Sequence, residues 1–233
     1  MRIGRTAVVT DTGRRRIGNE DAFVFKPPFF AIADGMGGAR AGEIAAGLAA
    51  AALEEGAEPT SAEGIVALID EANRQIWERS IQDPDTSGMG TTVTAALVAA
   101  DPGKVVIGHV GDSRAYLYRD GTLAQLTTDH SLVVELVESG ILTPEEAERH
   151  PQRSAITRAV GTEPTVEVDA FTVDAEPGVG EEPPIEAADH LEQEPTRSLR
   201  RHGAGPGGRV AAILLLLAVL GIGLLLLYWG FRR

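Results

Sequence analysis

RAYLYRDGTLAQL, residues 114–126, decides the architecture: two alternating apolar stretches flank Asp120-Gly121, a dipeptide that accepts the left-handed conformations of a tight hairpin turn. Working outward, further β-rich runs stand at 104–110 (KVVIGHV), 91–99 (TTVTAALVA), 23–33 (FVFKPPFFAIA) and 4–10 (GRTAVVT). Helical periodicity occupies 40–56, an Ala-rich run, and 61–81, where Ile65, Leu68, Ile69, Ala72 and Ile76 share one face and Thr60 and Glu63 have capping-box spacing. A further helix is expected after Asp129, through Leu132, Val133, Leu136 and Val137, ending at Gly140. A short one should start at Thr143-Pro144-Glu145-Glu146, which supplies a cap, an N1 proline and an N3 acid. Strands, then two long helices, then hairpins do not give the alternation of a parallel βαβ sheet. The expected class is α+β, with antiparallel sheets packed against helices.

The charge is unevenly spread. The 233 residues carry 34 acids, 21 Lys or Arg, five His and no Cys, for a formal net charge of −13. An acidic chain without a long basic stripe is not built to displace counterions from nucleic acid, so no nucleic-acid partner is expected. Without cysteine there is no disulfide framework, thiolate zinc site or Cys nucleophile; any metal must be held by oxygens or histidines. Residues 174–196 hold eight acids, no Lys or Arg and four prolines, and with the basic stretch after them they make 174–209 a linker. That bounds the folded body at 1–173.

Residues 210–231, VAAILLLLAVLGIGLLLLYWGF, are 22 uncharged and overwhelmingly apolar residues between Arg209 and Arg232. That length predicts one C-terminal transmembrane helix, with Tyr228 and Trp229 at an interface. Four arginines lie in 197–209 and two come after the run, which places the N-terminal body in the cytoplasm of a single-pass cell-membrane protein. No apolar signal-peptide core opens the chain, in line with a tail anchor.

The chemistry concentrates in four stretches: Asp11-Thr-Gly-Arg-Arg-Arg16-Ile-Gly-Asn19-Glu20-Asp21; Ala33-Asp34-Gly35-Met-Gly-Gly38, an acid at the end of an apolar run followed by glycines; Gly111-Asp112-Ser113-Arg114; and Thr127-Thr128-Asp129-His130-Ser131. Carboxylates and backbone carbonyls suit hard cations. A Ser-His-Asp hydrolase is the weaker alternative, since His130 and Ser131 are adjacent and no nucleophile elbow is present.

In this order the stretches, with Gly90-Thr91-Thr92 and Ile156-Thr-Arg-Ala-Val-Gly161, resemble the metal-dependent protein phosphatases of the PPM, type 2C family, bacterial branch, over about residues 5–173. The resemblance implies a β-sandwich flanked by helices, holding Mn²⁺ or Mg²⁺ ions that activate a water against phosphoserine or phosphothreonine. It implies that Asp34 is the carboxylate shared by both ions, that Gly35 ligates through its carbonyl, and that Asp21 holds metal-bound waters. It further implies that Arg16 grips the substrate phosphate, that Asp129 serves a third metal, and that 131–160 forms a mobile flap. Phosphorylated proteins, including serine/threonine kinases and their substrates, would be the partners.

The chain departs from the family pattern at two points. A later Asp-Gly motif and a late Asp-Asn motif, which complete the paired metal site in the family, have no counterpart: the only Asp-Gly pairs are 34–35 and 120–121, and the only asparagines are Asn19 and Asn73. Asp189, in the linker, is a poor substitute. Met36, Ala39 and Arg40 stand where the eukaryotic branch has a histidine. The alternatives to an active enzyme are therefore a catalytically impaired phosphatase fold that binds phosphoproteins as a regulator, or a truncated gene product.

Overall fold

The computed structural model describes residues 3–13, 18–101, 103–175, 212–216 and 226–230. The expected hairpin forms: β7 (Arg114–Arg119) and β8 (Thr122–Gln125) pair antiparallel with Arg119 opposite Thr122. Asp120 and Gly121 take φ of 51° and 75°, the left-handed pair that a two-residue turn requires.

One sheet runs β2 (Asp21–Lys26), β3 (Phe29–Met36), β5 (Val93–Val98), β6 (Lys104–Val110), β9 (Asp169–Asp174), all antiparallel, with the short β4 (Gly90–Thr91) beside the end of β3. The β-rich run 23–33 is divided between two strands. Pro27-Pro28 supplies no N–H donors to a ladder, so the chain turns there and Lys26 faces Phe29 across the hairpin. The second sheet contains β1 (Arg5–Val9), β7 and β8.

Period-2 alternation gives each strand two apolar faces, and both are used. Phe30, Ile32, Ala96, Val98, Val105 and Ile107 point between the sheets, where Ala115, Leu117 and Val8 meet them. Ala31, Ala33, Val93, Ala95, Leu97 and Val106 point the other way and are covered by α1 (Ala39–Glu55) and α2 (Ala62–Gln82). The α1 face is built from Ala41, Ala45, Ala49 and Ala52, small enough to let the helix lie close to the sheet. Its start is pressed against β3. A Cβ built on Gly35 would stand 2.0 Å from the carbonyl oxygen of Gly42, so neither glycine has room for a side chain.

The α2 cap is one residue later than expected. Ser61, not Thr60, is the N-cap, its hydroxyl accepting from the Gly64 N–H. The helices α3 (Leu132–Glu138) and α4 (Pro144–Glu148) match the expectation, and Thr143 and Glu146 form a complete capping box. The segment carrying them is stitched at both ends, Ser131 bridging Ile156 and Thr91 bridging Val160.

Asn73 pins the turn that leaves Val160. From a buried position on α2 its Oδ1 accepts the Gly161 N–H at 2.7 Å and its Nδ2 donates to the Glu163 carbonyl at 3.1 Å. Asn73→Ala strips both partners and should cost about 2–3 kcal/mol in urea denaturation, the penalty for orphaning buried backbone groups.

The largest difference from the sequence expectation is at the C-terminal apolar run. A transmembrane helix is expected over 210–231, but Ala212–Leu216 (β10) and Leu226–Gly230 (β11) are strands in the second sheet. β11 pairs with β1 over Arg5–Val9, β10 pairs with β7 over Arg114–Tyr118, and the order becomes β1, β11, β10, β7, β8. No helix among the described residues is long and apolar enough to cross a membrane. The physical reason is that an unbroken Leu/Ile/Val run has no periodicity to separate buried strand from buried helix, and β1 and β7 offer edges with backbone groups to satisfy. Apart from Asp174 and Ala175, the 174–209 linker, including Asp189, lies outside the described residues.

Candidate metal and phosphoester site

The pairing of β2 with β3 sets Asp21 directly opposite Asp34. Directly opposed residues of an antiparallel pair leave the same face of the sheet, and two carboxylates there repel unless a cation lies between them. Asp21 is aimed by an Asx turn, its N–H donating to Asn19 Oδ1 at 3.1 Å, while Asn19 Nδ2 donates to Thr10 Oγ1 at 2.7 Å. Asp34 is only 7% exposed. Its backbone is clamped by two threonines: its N–H donates to Thr92 Oγ1 at 3.1 Å, and its carbonyl accepts from Thr91 Oγ1 and Thr92 N, each at 2.9 Å. The Gly35 N–H donates to the Glu20 carbonyl.

Gly111-Asp112-Ser113-Arg114 turns the chain from β6 into β7 against this clamp. Gly111 takes φ +109°, and a Cβ on it would strike Thr92. The Ser113 hydroxyl meets that of Thr92. Gly111 also locks to His130 in both directions: its N–H donates to His130 Nδ1 at 3.0 Å, and its carbonyl accepts the His130 N–H at 2.8 Å. Asp129 is thereby brought to the same end of the sandwich.

Asp112 is the residue the sequence left without a role. Its Oδ1 is buried with no hydrogen-bond partner, and burial, reinforced by the negative charges of Asp129 and Asp34, pushes its carboxyl up to about 6. An orphaned carboxylate oxygen in the field of two more carboxylates is the environment a divalent cation relieves, and the donors are the hard oxygens that Mn²⁺ or Mg²⁺ select. The chemistry therefore fits such an ion. Among the described residues, however, no three His, Asp or Glu side chains are close enough to form a metal cluster, which agrees with the absence of the later acidic motifs from the chain.

His130 is excluded as a general base. Because its Nδ1 accepts the Gly111 N–H, the proton sits on Nε2, which donates to Asp169 Oδ2 at 3.1 Å. The contact of Arg158 with the same nitrogen is then no hydrogen bond, and that guanidinium is instead held by Asp169 Oδ1 at 2.7 Å. A His–Asp pair exists, but both ring nitrogens are committed and none faces a serine. The Ser-His-Asp alternative is set aside by that geometry.

His109, buried beneath, hydrogen-bonds Thr94 and the Thr128 carbonyl. Burial, with His130 adding to it, pushes its pKa down to about 4 from an ordinary 6.5. The unfolded chain takes up this proton first, so stability falls as pH drops from about 6.5 towards 4. Asp112 acts in the opposite sense: its raised folded pKa adds stability as pH falls through about 6. In metal-free buffer, His109→Gln should lose about 2 kcal/mol less than the parent between pH 7 and pH 5, read from urea midpoints.

Of the sequence-derived site residues, the structure brings Asp21, Asp34 and Gly35 together on β2 and β3, and the Gly111–His130 hydrogen bonds bring Asp129 to the same end of the sandwich. Arg16 lies outside the described residues. The Asp112 role and the pairing of Asp129 with Arg114, at 2.7 Å from Nε to Oδ1, were not read from the sequence. The four-stretch order was the available signal for both.

A two-layer sandwich with helices on one face gathers carboxylates and a glycine turn at one end, a set of hard oxygen donors suited to phosphoester chemistry. A family model described as Protein phosphatase 2C matches residues 14–167, and the chain belongs to that family. It is 44% identical over 177 residues to the serine/threonine phosphatase stp of Listeria welshimeri, covering 70% of this chain and 69% of that one. It is also 44% identical over 160 residues to the serine/threonine protein phosphatase PstP of Mycobacterium tuberculosis, covering 67% of this chain and 31% of the relative. The crystal structure of the Mycobacterium tuberculosis phosphatase PstP/Ppp superposes with a TM-score of 0.68 at 40% identity, over 74% of each chain. A structure of the PstP catalytic domain in complex with two manganese ions superposes with a TM-score of 0.63 at 37% identity, again over 74% of each.

Proposed function

We propose that this chain is a metal-dependent serine/threonine phosphoprotein phosphatase that hydrolyses phosphoserine and phosphothreonine. The observation that carries the reading is the carboxylate set at one end of the sandwich: Asp34 opposite Asp21, and Asp112, whose buried Oδ1 has no hydrogen-bond partner and whose carboxyl is pushed up by burial and by the charges of Asp129 and Asp34. Asp34 and the Gly35 carbonyl would hold Mn²⁺ or Mg²⁺, Asp21 would orient bound water, and Asp129 would serve a further ion. Divalent ions at such a site lower the pKa of water and neutralise phosphate charge. The protein's own residues fix the donors: Thr91 and Thr92 hold the Asp34 backbone, and the Gly111–His130 lock holds Asp112 and Asp129 to it. Arg16 would grip the phosphate by the bidentate geometry of a guanidinium.

A second reading is a phosphoprotein-binding regulator. It is favoured by the missing acidic motifs and by the lack of a three-ligand cluster among the described residues. The 233-residue chain should release phosphate from a phosphothreonine peptide in Mn²⁺ and stop in EDTA. Peptide binding without release would support the regulator instead, and neither binding nor release would reject both.

The composition of 210–231 supports tethering at the cell membrane with the body in the cytoplasm, near phosphorylated membrane-bound kinases and their substrates. A span and the β10–β11 pairing are mutually exclusive uses of one segment. Liposome flotation that persists in high salt would favour the span. Protease-protected, unfloated protein would favour the sheet.

A further inference from the structure

Where α2 ends, the molecule has an open groove that the phosphoester site does not use. Trp77 and Ile81 of α2, Pro84 and Gly88 after it, and Gly161 and Thr162 across from them line about 620 Å³. Ile81 is 63% exposed and Trp77 is only partly buried. Single apolar residues on a surface need no explanation, but these border a concavity. Both of its walls are fixed. The Thr86 hydroxyl, buried, hydrogen-bonds the Arg79 and Asp83 carbonyls and ties the turn Pro84–Thr86 to the end of α2. Asn73 holds the Gly161 wall by the two hydrogen bonds described above. A preformed groove spares its ligand the ordering cost of making one.

The floor of the groove is continuous with the turn that follows Asp34. Gly90 of β4 stands opposite Met36, and Thr162 packs over it, its Cγ2 2.7 Å from where a Cβ on Gly90 would lie. Gly37 abuts Met89 likewise, its Cβ position 3.1 Å from the Met89 Cα. Two residues along a strand and one strand spacing across put the groove roughly 10–15 Å from Asp34, the reach of about three or four extended residues. The rim is acidic. Asp85, beside Pro84, and Glu163, beside Thr162, are exposed, whereas the charge of Arg79 is met by Asp83 at 2.9 Å. We propose that this groove receives an apolar side chain of the phosphoprotein substrate, three or four residues from the phosphorylated one, and that its rim favours a Lys or Arg beside that side chain. The inference rests on the proposed function and names the sequence that the same site selects. Trp77 and Ile81 are on this account specificity-determining residues and take no part in the chemistry.

The test uses the full chain in Mn²⁺ with phosphothreonine peptides that carry Leu-Arg or Ser-Ser at the third and fourth positions, before the phosphothreonine in one pair and after it in another. In one of the two pairs the Leu-Arg peptide should have a kcat/KM about tenfold higher, through KM, the effect of one apolar side chain in a fitting pocket. Ile81→Ser and Trp77→Ala should bring that pair close to parity and leave the hydrolysis of p-nitrophenyl phosphate, too small to reach the groove, unchanged. Ile81 is exposed enough that its variant keeps the test open if Trp77→Ala fails to fold. Trp77 and Trp229 are the chain's two tryptophans, so in Trp229→Phe the emission of Trp77 reports binding without turnover. Equal kcat/KM within both pairs, with p-nitrophenyl phosphate hydrolysed, would overturn the groove proposal and leave the phosphatase reading standing. No hydrolysis of any substrate would overturn the phosphatase reading, and the Trp77 emission then decides: a shift with a Leu-Arg peptide and none with its Ser-Ser partner supports the groove in a phosphoprotein-binding chain, and no shift overturns it as well.

Discussion

Asp34→Asn should cut Mn²⁺-dependent hydrolysis of a phosphothreonine peptide by about a thousandfold, some 4 kcal/mol of transition-state stabilisation. The substitution is isosteric, and every hydrogen bond that fixes this position through the main chain survives it: the N–H still donates to Thr92 and the carbonyl still accepts from Thr91 and Thr92. The side chain loses its negative charge, and one acceptor oxygen becomes an amide donor. Removing the charge also relieves Asp112, whose carboxyl is pushed up in part by Asp34, so the Asn variant should titrate Asp112 at a lower pH than the parent does. Stability in EDTA should stay within about 1 kcal/mol of the parent, the range for a substitution that leaves packing intact. A variant that folds normally and retains parental turnover would remove Asp34 from the chemistry. Loss of activity with a large fall in Tm would instead assign it a structural role.

What was legible in the sequence was local. Asp120-Gly121 specifies its turn by backbone conformation alone, and Thr143 with Glu146 specifies a cap by spacing, so both were read correctly. Asp34 is visible in the sequence as an acid ending a wholly apolar run just before a glycine turn, and the structure sets it in β3 opposite Asp21. Where two adjacent residues compete for one role the sequence is ambiguous: Thr60 and Ser61 both suit a cap, and only the path of the chain decides for Ser61. Pro27-Pro28 divides a run that hydropathy joins. Pairings across long separations were invisible. Arg114 and Asp129 are 15 residues apart, and Asn73 and Gly161 are 88 apart. The run 210–231 leaves two uses open. Its apolar length satisfies the rule for a membrane span, and nothing in its pattern shows that β1 and β7 are open to receive strands.

Gly35→Ala is expected to be the most damaging alanine substitution among the described glycines, because the Ala Cβ would meet backbone. On Gly35 it would lie 2.0 Å from the Gly42 oxygen and 2.3 Å from the Gly42 carbonyl carbon, and no rotamer change relieves contact with a main chain. The alternatives are to lift α1 from the sheet or to bend β3. Lifting α1 opens the Ala45, Ala49 and Ala52 seam, whose only advantage is close approach, and exposes Ala31 and Ala33 beneath it. Bending β3 pulls Asp34 away from Thr91 and Thr92 and out of register with Asp21. Overpacking of this kind costs about 3 kcal/mol or more, equivalent to a fall of roughly 6–12 °C in Tm for a body of this size. The same displacement should weaken Mn²⁺ binding even at temperatures where the variant remains folded. Gly42→Ala, whose Cβ would stand 2.8 Å from the Gly35 carbonyl carbon, should show the same pair of effects to a lesser degree. Parental stability in Gly35→Ala would mean that α1 and β3 are not in contact here, and the placement of the whole helical layer over the site would have to be abandoned.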